Sequence, residues 1–256
     1  MCNGSIMDKL ISFSLPLMLS GILQLMFNAV DIIVVGRFSG KQALAAVGST
    51  TALINVFTNL FIGISLGANV LAARFYAMGK SKEMSETVHT SITLAMVSGV
   101  IMAFVGVLFA RGALELMGTP DDVIDQSTLY MRIYFMGMPF FMLYNYGAAI
   151  LRAIGDTKRP LLFLIISGLI NAALNMLLVI YCHMAVEGVA IATVISQLIS
   201  CILVLWCLYK SEGSYQLRFS KLQIKGVYLK QIFPHNILLP VLFCNVYPFQ
   251  NHAGFP

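Results

Sequence analysis

Charge is what this chain has least of. Asp, Glu, Lys and Arg make up 11% of its 256 residues and hydrophobic residues 59%, against about 25% charged in a soluble domain. So few charges cannot wet a whole surface, and much of that surface must face lipid. The signatures of enzyme chemistry are missing too: no GxxxxGK to cradle a phosphate, no GxSxG, no HExxH and no paired carboxylates in an apolar pocket. The chain is therefore expected not to be an enzyme, nor to drive transport with ATP by itself. Its five cysteines (Cys2, Cys182, Cys201, Cys207 and Cys244) show no CxxC or ligand spacing. That suits free thiols packed in helices, with no metal centre and no cofactor. The formal charge of +5 does not point to nucleic acid, because the basic residues sit in short loops and after the last apolar run. No secretory signal peptide is evident, since the first apolar run is too long.

Long apolar runs are what the chain has most of. Six stretches, near residues 10–35, 50–73, 88–110, 129–151, 161–181 and 188–209, can each cross about 30 Å of hydrocarbon. The expected fold is all-α, a polytopic membrane bundle of six transmembrane helices. A soluble bundle would need a polar face on every helix, and residues 97–109 offer none. Residues 1–220 form the membrane lobe. Residues 221–256 read as a cytoplasmic linker and an irregular tail, broken by Pro234, Pro240, Pro248 and Pro256 and expected to be truncated or out of frame.

Basic residues set the expected orientation. With the N-terminus inside, the inner segments hold Lys9, Arg74, Lys80, Lys82, Arg152, Lys158, Arg159, Lys210, Arg218, Lys221, Lys225 and Lys230, and the outer loops only Arg37, Lys41 and Arg111. Both termini are then cytoplasmic, which discounts the glycosylation sequon at Asn3-Gly4-Ser5. Arg132, just inside the fourth span, is placed to snorkel to the interface. His89 and His183 are expected at span ends and His235 in the tail, without a ligand pattern.

One acid, Asp31, lies in the first run, with Gln24 and Asn28 inside an arc of roughly 60° on the same helical face. An isolated carboxylate in a lipid-spanning helix costs about 2.5–3.5 kcal/mol on insertion scales, so it calls for a function and a partner. Depth supplies candidates: Asn171 and Asn175 in the fifth span and Thr193 in the sixth fall in the same outer third, with Gln197 below Thr193. Carboxylate, amide and hydroxyl oxygens suit Na⁺, and a carboxylate deprived of water suits a proton. The same amides also serve as glue between helices. Asn55 and Asn59 continue into Gly63 and Gly67 as a stripe down the second span, a pattern of close helix packing more than of ligand contact. Gln24, Asn28, Asn55, Asn59 and Gln197 are the candidate cavity lining. In the fourth span Gly137, Pro139 and Gly147 are expected to loosen the helix, as a gate or as ordinary membrane-helix composition.

Three segments carry a family likeness. Pro16, then Val30-Asp31-Ile32-Ile33-Val34-Val35-Gly36-Arg37 and Ala43-Leu44-Ala45-Ala46-Val47-Gly48, resemble the first-helix signature of the multidrug and toxic compound extrusion (MATE) family. Leu151-Arg152-Ala153-Ile154-Gly155-Asp156-Thr157-Lys158-Arg159-Pro160 resembles its loop between helices four and five. Asn171 to Asn175, with Glu187-Gly188-Val189-Ala190-Ile191-Ala192-Thr193, resembles its fifth helix and the start of its sixth. The resemblance implies one lobe of a two-lobe, twelve-helix exporter of amphipathic, often cationic compounds in the cell membrane. It assigns the coupling proton or Na⁺ to Asp31, with Asn171 and Thr193 matching. Many members carry Asp where this chain has Asn175. Partners implied are membrane lipid, a small amphipathic substrate, and either a C-terminal lobe or a second copy of the chain. Two other readings stay open: a flippase for a lipid-linked saccharide, and a membrane fragment or assembly partner that transports nothing.

Overall fold

A computed structural model describes residues 6–232. Cys2, the Asn3 sequon, Cys244, His235 and the four tail prolines lie outside the described residues. What is described is helical: α1 (Ile6–Phe38), α2 (Gly40–Ala77), α3 (Ser81–Leu116), α4 (Ile124–Met136), α5 (Met138–Ala153), α6 (Lys158–Met176), α7 (Val186–Lys210) and α8 (Gly226–Ile232). A π-helical stretch, Leu177–Tyr181, continues α6. Five helices are each long and apolar enough to cross a membrane: α1, α2, α3, α6 with its π extension, and α7. The sixth crossing is α4 and α5 in series.

The first three helices outrun the expected spans. α1 runs through Gly36 and Arg37, so the expected break at 36–40 shrinks to Ser39 alone. Ser39 N–H closes back on the Val35 carbonyl at 2.9 Å, Arg37 sits favourably in the last turn, and Gly40, at φ +88°, makes the reversal. The alanine-rich segment after it buries Ala43, Ala46 and Val47 as the first turns of α2.

Helices α2, α3 and α5 end in one motif. Gly79, Gly118 and Gly155 take positive φ, and the next N–H returns to a carbonyl five residues back: Lys80 to Phe75, Thr119 to Leu114, Asp156 to Leu151. The third case explains the Gly155-Asp156 pair physically. Gly155 stops α5, and the Asp156 carboxylate accepts the Arg159 N–H at 3.2 Å to start α6. Pro160 falls in that first turn, where a missing N–H costs nothing.

The fourth span breaks at Gly137 because Pro139 has no N–H to offer the Phe135 carbonyl. The break is wedged between two neighbours. A Cβ on Gly99 of α3 would lie 2.6 Å from Pro139 Cα, and one on Gly137 would lie 2.7 Å from Gln197 Oε1 of α7. Gly147, by contrast, loosens nothing. It lies inside α5, where a Cβ would come 2.9 Å from a Val204 methyl, so its role is close approach to α7.

Two apolar cores result. The larger joins α2, α3, α4, α5 and α7 and takes in Leu217, Tyr228 and Ile232 from beyond α7. The smaller gathers Val34 and Val35, Ala43 to Ile54, Tyr130, Val179, and Val186 to Ala190 at the end of the bundle that holds the α1–α2 turn. Helix α1 packs on α6 and α2 and leaves Met18, Leu25, Met26 and Ile33 exposed. The Gly67 of the expected small-residue stripe serves a different neighbour from a membrane-crossing helix: a Cβ there would strike the Ile232 carbonyl of α8.

Candidate functional site

At the lower edge of the smaller core, three helices bring polar side chains together. On α6, Asn171 and Asn175 are four residues apart and share a face. Gly168, one turn earlier, leaves room for the Phe27 ring of α1, which lets the two helices approach. The Asn175 amide N–H then donates to Asp31 Oδ1, and also lies 3.3 Å from Asn171 Oδ1. The Asn171 amide donates to Thr193 Oγ1 of α7 at 3.4 Å, and the Thr193 hydroxyl donates to its own helix at Val189 O, 2.9 Å. A chain of side chains thus runs Asp31–Asn175–Asn171–Thr193 across α1, α6 and α7.

Burial sharpens the chemistry. Asn175 is 0% exposed, and its Oδ1 is a buried acceptor with no donor. An unpaired amide oxygen in such a place costs about 1–3 kcal/mol, so it marks a spot where a donor or a cation would be welcome. The oxygens beside it are hard ones: carboxylate, amide and hydroxyl. No group of three His, Cys, Asp or Glu residues clusters among the described residues.

The remaining sequence candidates are dispersed. Gln24 and Asn28 are exposed on α1, and Asn55 and Asn59 are half-buried on α2, none hydrogen-bonded to the chain above. Gln197 lies one turn along α7 from Thr193, its Oε1 buried, unpaired and against Gly137. Ser196 and Ser200 turn back onto α7 itself, donating to Thr193 O and Gln197 O. Arg132 is exposed and His183 sits in the α6–α7 loop. His89 departs from the interfacial expectation: it is 2% exposed, because α3 extends past the membrane expectation and the chain after α7 folds over it.

Sequence reasoning gave Tyr130 and Tyr134 no place in the site. They stack on α4 with centroids 6.3 Å apart, Tyr130 inside the smaller core with Val34 and Val35 and Tyr134 packed against it. Their signal was present: two tyrosines at a four-residue spacing, at the depth of Asp31 if the fourth span runs inward.

The MatE family model matches residues 16–177, most of the membrane bundle and the whole Asp31–Asn175 pairing. "Probable multidrug resistance protein YoeA" of Bacillus subtilis (strain 168) is 35% identical over 213 residues, covering 82% of this chain and 46% of that protein. The chain belongs to the MatE family. MatE proteins are transporters, not enzymes, and this MatE chain is a multi-pass membrane protein. "Probable multidrug resistance protein NorM" of Thermotoga maritima is 27% identical over 218 residues, 83% of this chain and 46% of its own. A solved multidrug resistance MATE family transporter in an outward-facing conformation superposes with a TM-score of 0.84 at 22% identity, over 93% of this chain and 52% of that one. At that identity the likeness speaks for the fold, which is one lobe of the two-lobe transporter architecture. The chain spans about half the length of the relatives it matches.

Proposed function

We propose that this chain is the N-terminal lobe of a cation-coupled exporter of amphipathic organic compounds, with Asp31 as the coupling group. The observation that carries this is the buried Asn175 Oδ1 without a donor, beside the Asp31 carboxylate. Ionised, Asp31 takes the Asn175 N–H. Protonated, it gains an O–H of its own, which the idle Asn175 oxygen can accept. Na⁺ would instead draw on the same oxygens together. Either way, neutralising Asp31 changes what α1 and α6 hold between them, and so which arrangement of the two helices is favoured. One charge crossing 100 mV supplies about 2.3 kcal/mol, close to a fifty-fold concentration ratio.

The compound class follows from relatives named for multidrug resistance. The membrane is the cell membrane, with both termini in the cytoplasm by the distribution of basic residues. The opposite wall of the cavity comes from a C-terminal lobe or a second copy, facing the exposed side of α1. A flippase for a lipid-linked saccharide would call for a strongly cationic cavity, and Arg132 is the one Lys or Arg within the six expected spans.

The test is ethidium efflux from cells expressing the chain, alone and with the C-terminal half of YoeA supplied. Efflux is measured with and without external Na⁺ at two external pH values. Efflux that follows the pH gradient assigns the proton, and efflux that follows Na⁺ assigns Na⁺. Efflux indifferent to both contradicts cation coupling.

A further inference from the structure

Where α3 begins, at the end of the bundle opposite the α1–α2 turn, its first turns and the segment after α7 border an open cavity of about 510 Å³. Lys82, Ser85, Glu86 and His89 line it from α3, and Ser220 and Lys221 from the 3-10 turn Phe219–Lys221. The walls are already held together without a ligand. His89 contacts the Ser85 carbonyl through Nδ1 at 2.6 Å and accepts the Arg218 N–H at Nε2, 3.1 Å. Since Nε2 accepts, Nδ1 carries the ring proton. Glu86 engages both its oxygens, Oε1 with Lys225 Nζ and Oε2 with the Tyr228 hydroxyl at 2.8 Å, so its charge is matched within the wall.

Lys82 and Lys221 are different. Both are exposed, and neither forms an ion pair among the described residues. Two ammonium groups from separate elements, neither in an ion pair among the described residues, line one cavity together with Ser85 and Ser220; Glu86, one turn from Lys82, already has Lys225 as its partner. Ammonium groups and hydroxyl donors around a space of headgroup size are the chemistry of phosphate recognition.

We propose that this cavity binds a phosphate-bearing anion, held between Lys82 on α3 and Lys221 on the linker, with Ser85 and Ser220 as neutral donors. The phosphate belongs to an acidic phospholipid headgroup or to a soluble phosphate. The lipid source rests on the orientation proposed above, which sets this end against the anionic cytoplasmic leaflet. Once bound, the anion ties the linker to α3 at the joint between the six spans and α8.

Native mass spectrometry of the full chain from nanodiscs tests this with two probes: phosphatidic acid in a phosphatidylcholine bilayer, and inorganic phosphate with phosphatidylcholine alone. Wild type is compared with the Lys82→Ala/Lys221→Ala double variant and with Lys158→Ala, an exposed lysine outside the cavity. The double variant is expected to retain at least tenfold less of the bound probe, and Lys158→Ala the wild-type amount. Retention of phosphatidic acid alone names the lipid, and retention of phosphate names a soluble source. Equal retention by the double variant, an equal loss in Lys158→Ala, or no binding of either probe overturns the site. Export is not measured, so this result stands apart from the transport reading.

Discussion

Asn175 of α6 gives its side-chain N–H to the carboxylate of Asp31 on α1, while its own carbonyl oxygen stays buried and unpaired. Asn175→Ala removes that donor and leaves the Asp31 carboxyl short of a partner, at a cost of about 1–3 kcal/mol. Thermal unfolding in detergent should show a lower midpoint than wild type. In an Asp31→Asn background the same substitution should cost measurably less, because the carboxyl it served is gone. Equal costs in both backgrounds would mean the two side chains are not energetically coupled.

The seat of the broken fourth span is equally specific. Gly99→Ala puts a methyl group against the Pro139 backbone, which cannot swing aside as a side-chain tip does. Overpacking of this kind costs about 1–3 kcal/mol, so the unfolding midpoint should fall. At Gly112, where a Cβ meets nothing within 4 Å, the same change should be neutral or slightly stabilising. A neutral result at Gly99 would show that α3 does not press on the break.

Docking of α8 should depend on pH at both extremes. Lys225 and then the Tyr228 hydroxyl hold the Glu86 carboxyl below its usual range. That contribution is present above the ordinary carboxylate pKa of about 4.3 and fades as pH falls through the lowered folded value. Tyr228 is pushed up to about 12 by burial and by the Glu86 carboxylate. Its contribution is present below about 10 and fades as pH rises through the folded value. Hydrogen-exchange protection across residues 218–232, corrected for the intrinsic pH dependence of amide exchange, should therefore be greatest between these limits. Glu86→Gln should speed exchange at neutral pH, and unchanged exchange would separate Glu86 from α8 docking.

Much of this architecture was legible from local rules. Apolar length alone located the six crossings, because in lipid the backbone can satisfy itself only as helix. Depth matching brought Asp31, Asn171, Asn175 and Thr193 to one level, since rise per residue converts chain position into height. What escaped depended on which helix neighbours which. Gly67 was legible as a point of close helix packing, but its neighbour is the end of α8 and not a membrane-crossing helix. Gly147 looked like a weak point and is a packing point against Val204. His89 looked interfacial and is covered by the segment after α7. Periodicity describes a helix face but does not name the element lying on it. The π-helical turn after Asn175 left no mark in the sequence that these rules could detect.

The central claim is that a small cation neutralises Asp31 and so governs which way the bundle opens. The most direct measurement is dye accumulation in vesicles under an imposed proton or Na⁺ gradient, with the second lobe supplied, comparing wild type and Asp31→Asn at equal protein incorporation. The account predicts gradient-driven accumulation in wild type and only passive leak in Asp31→Asn. Accumulation by Asp31→Asn at the wild-type level would contradict it.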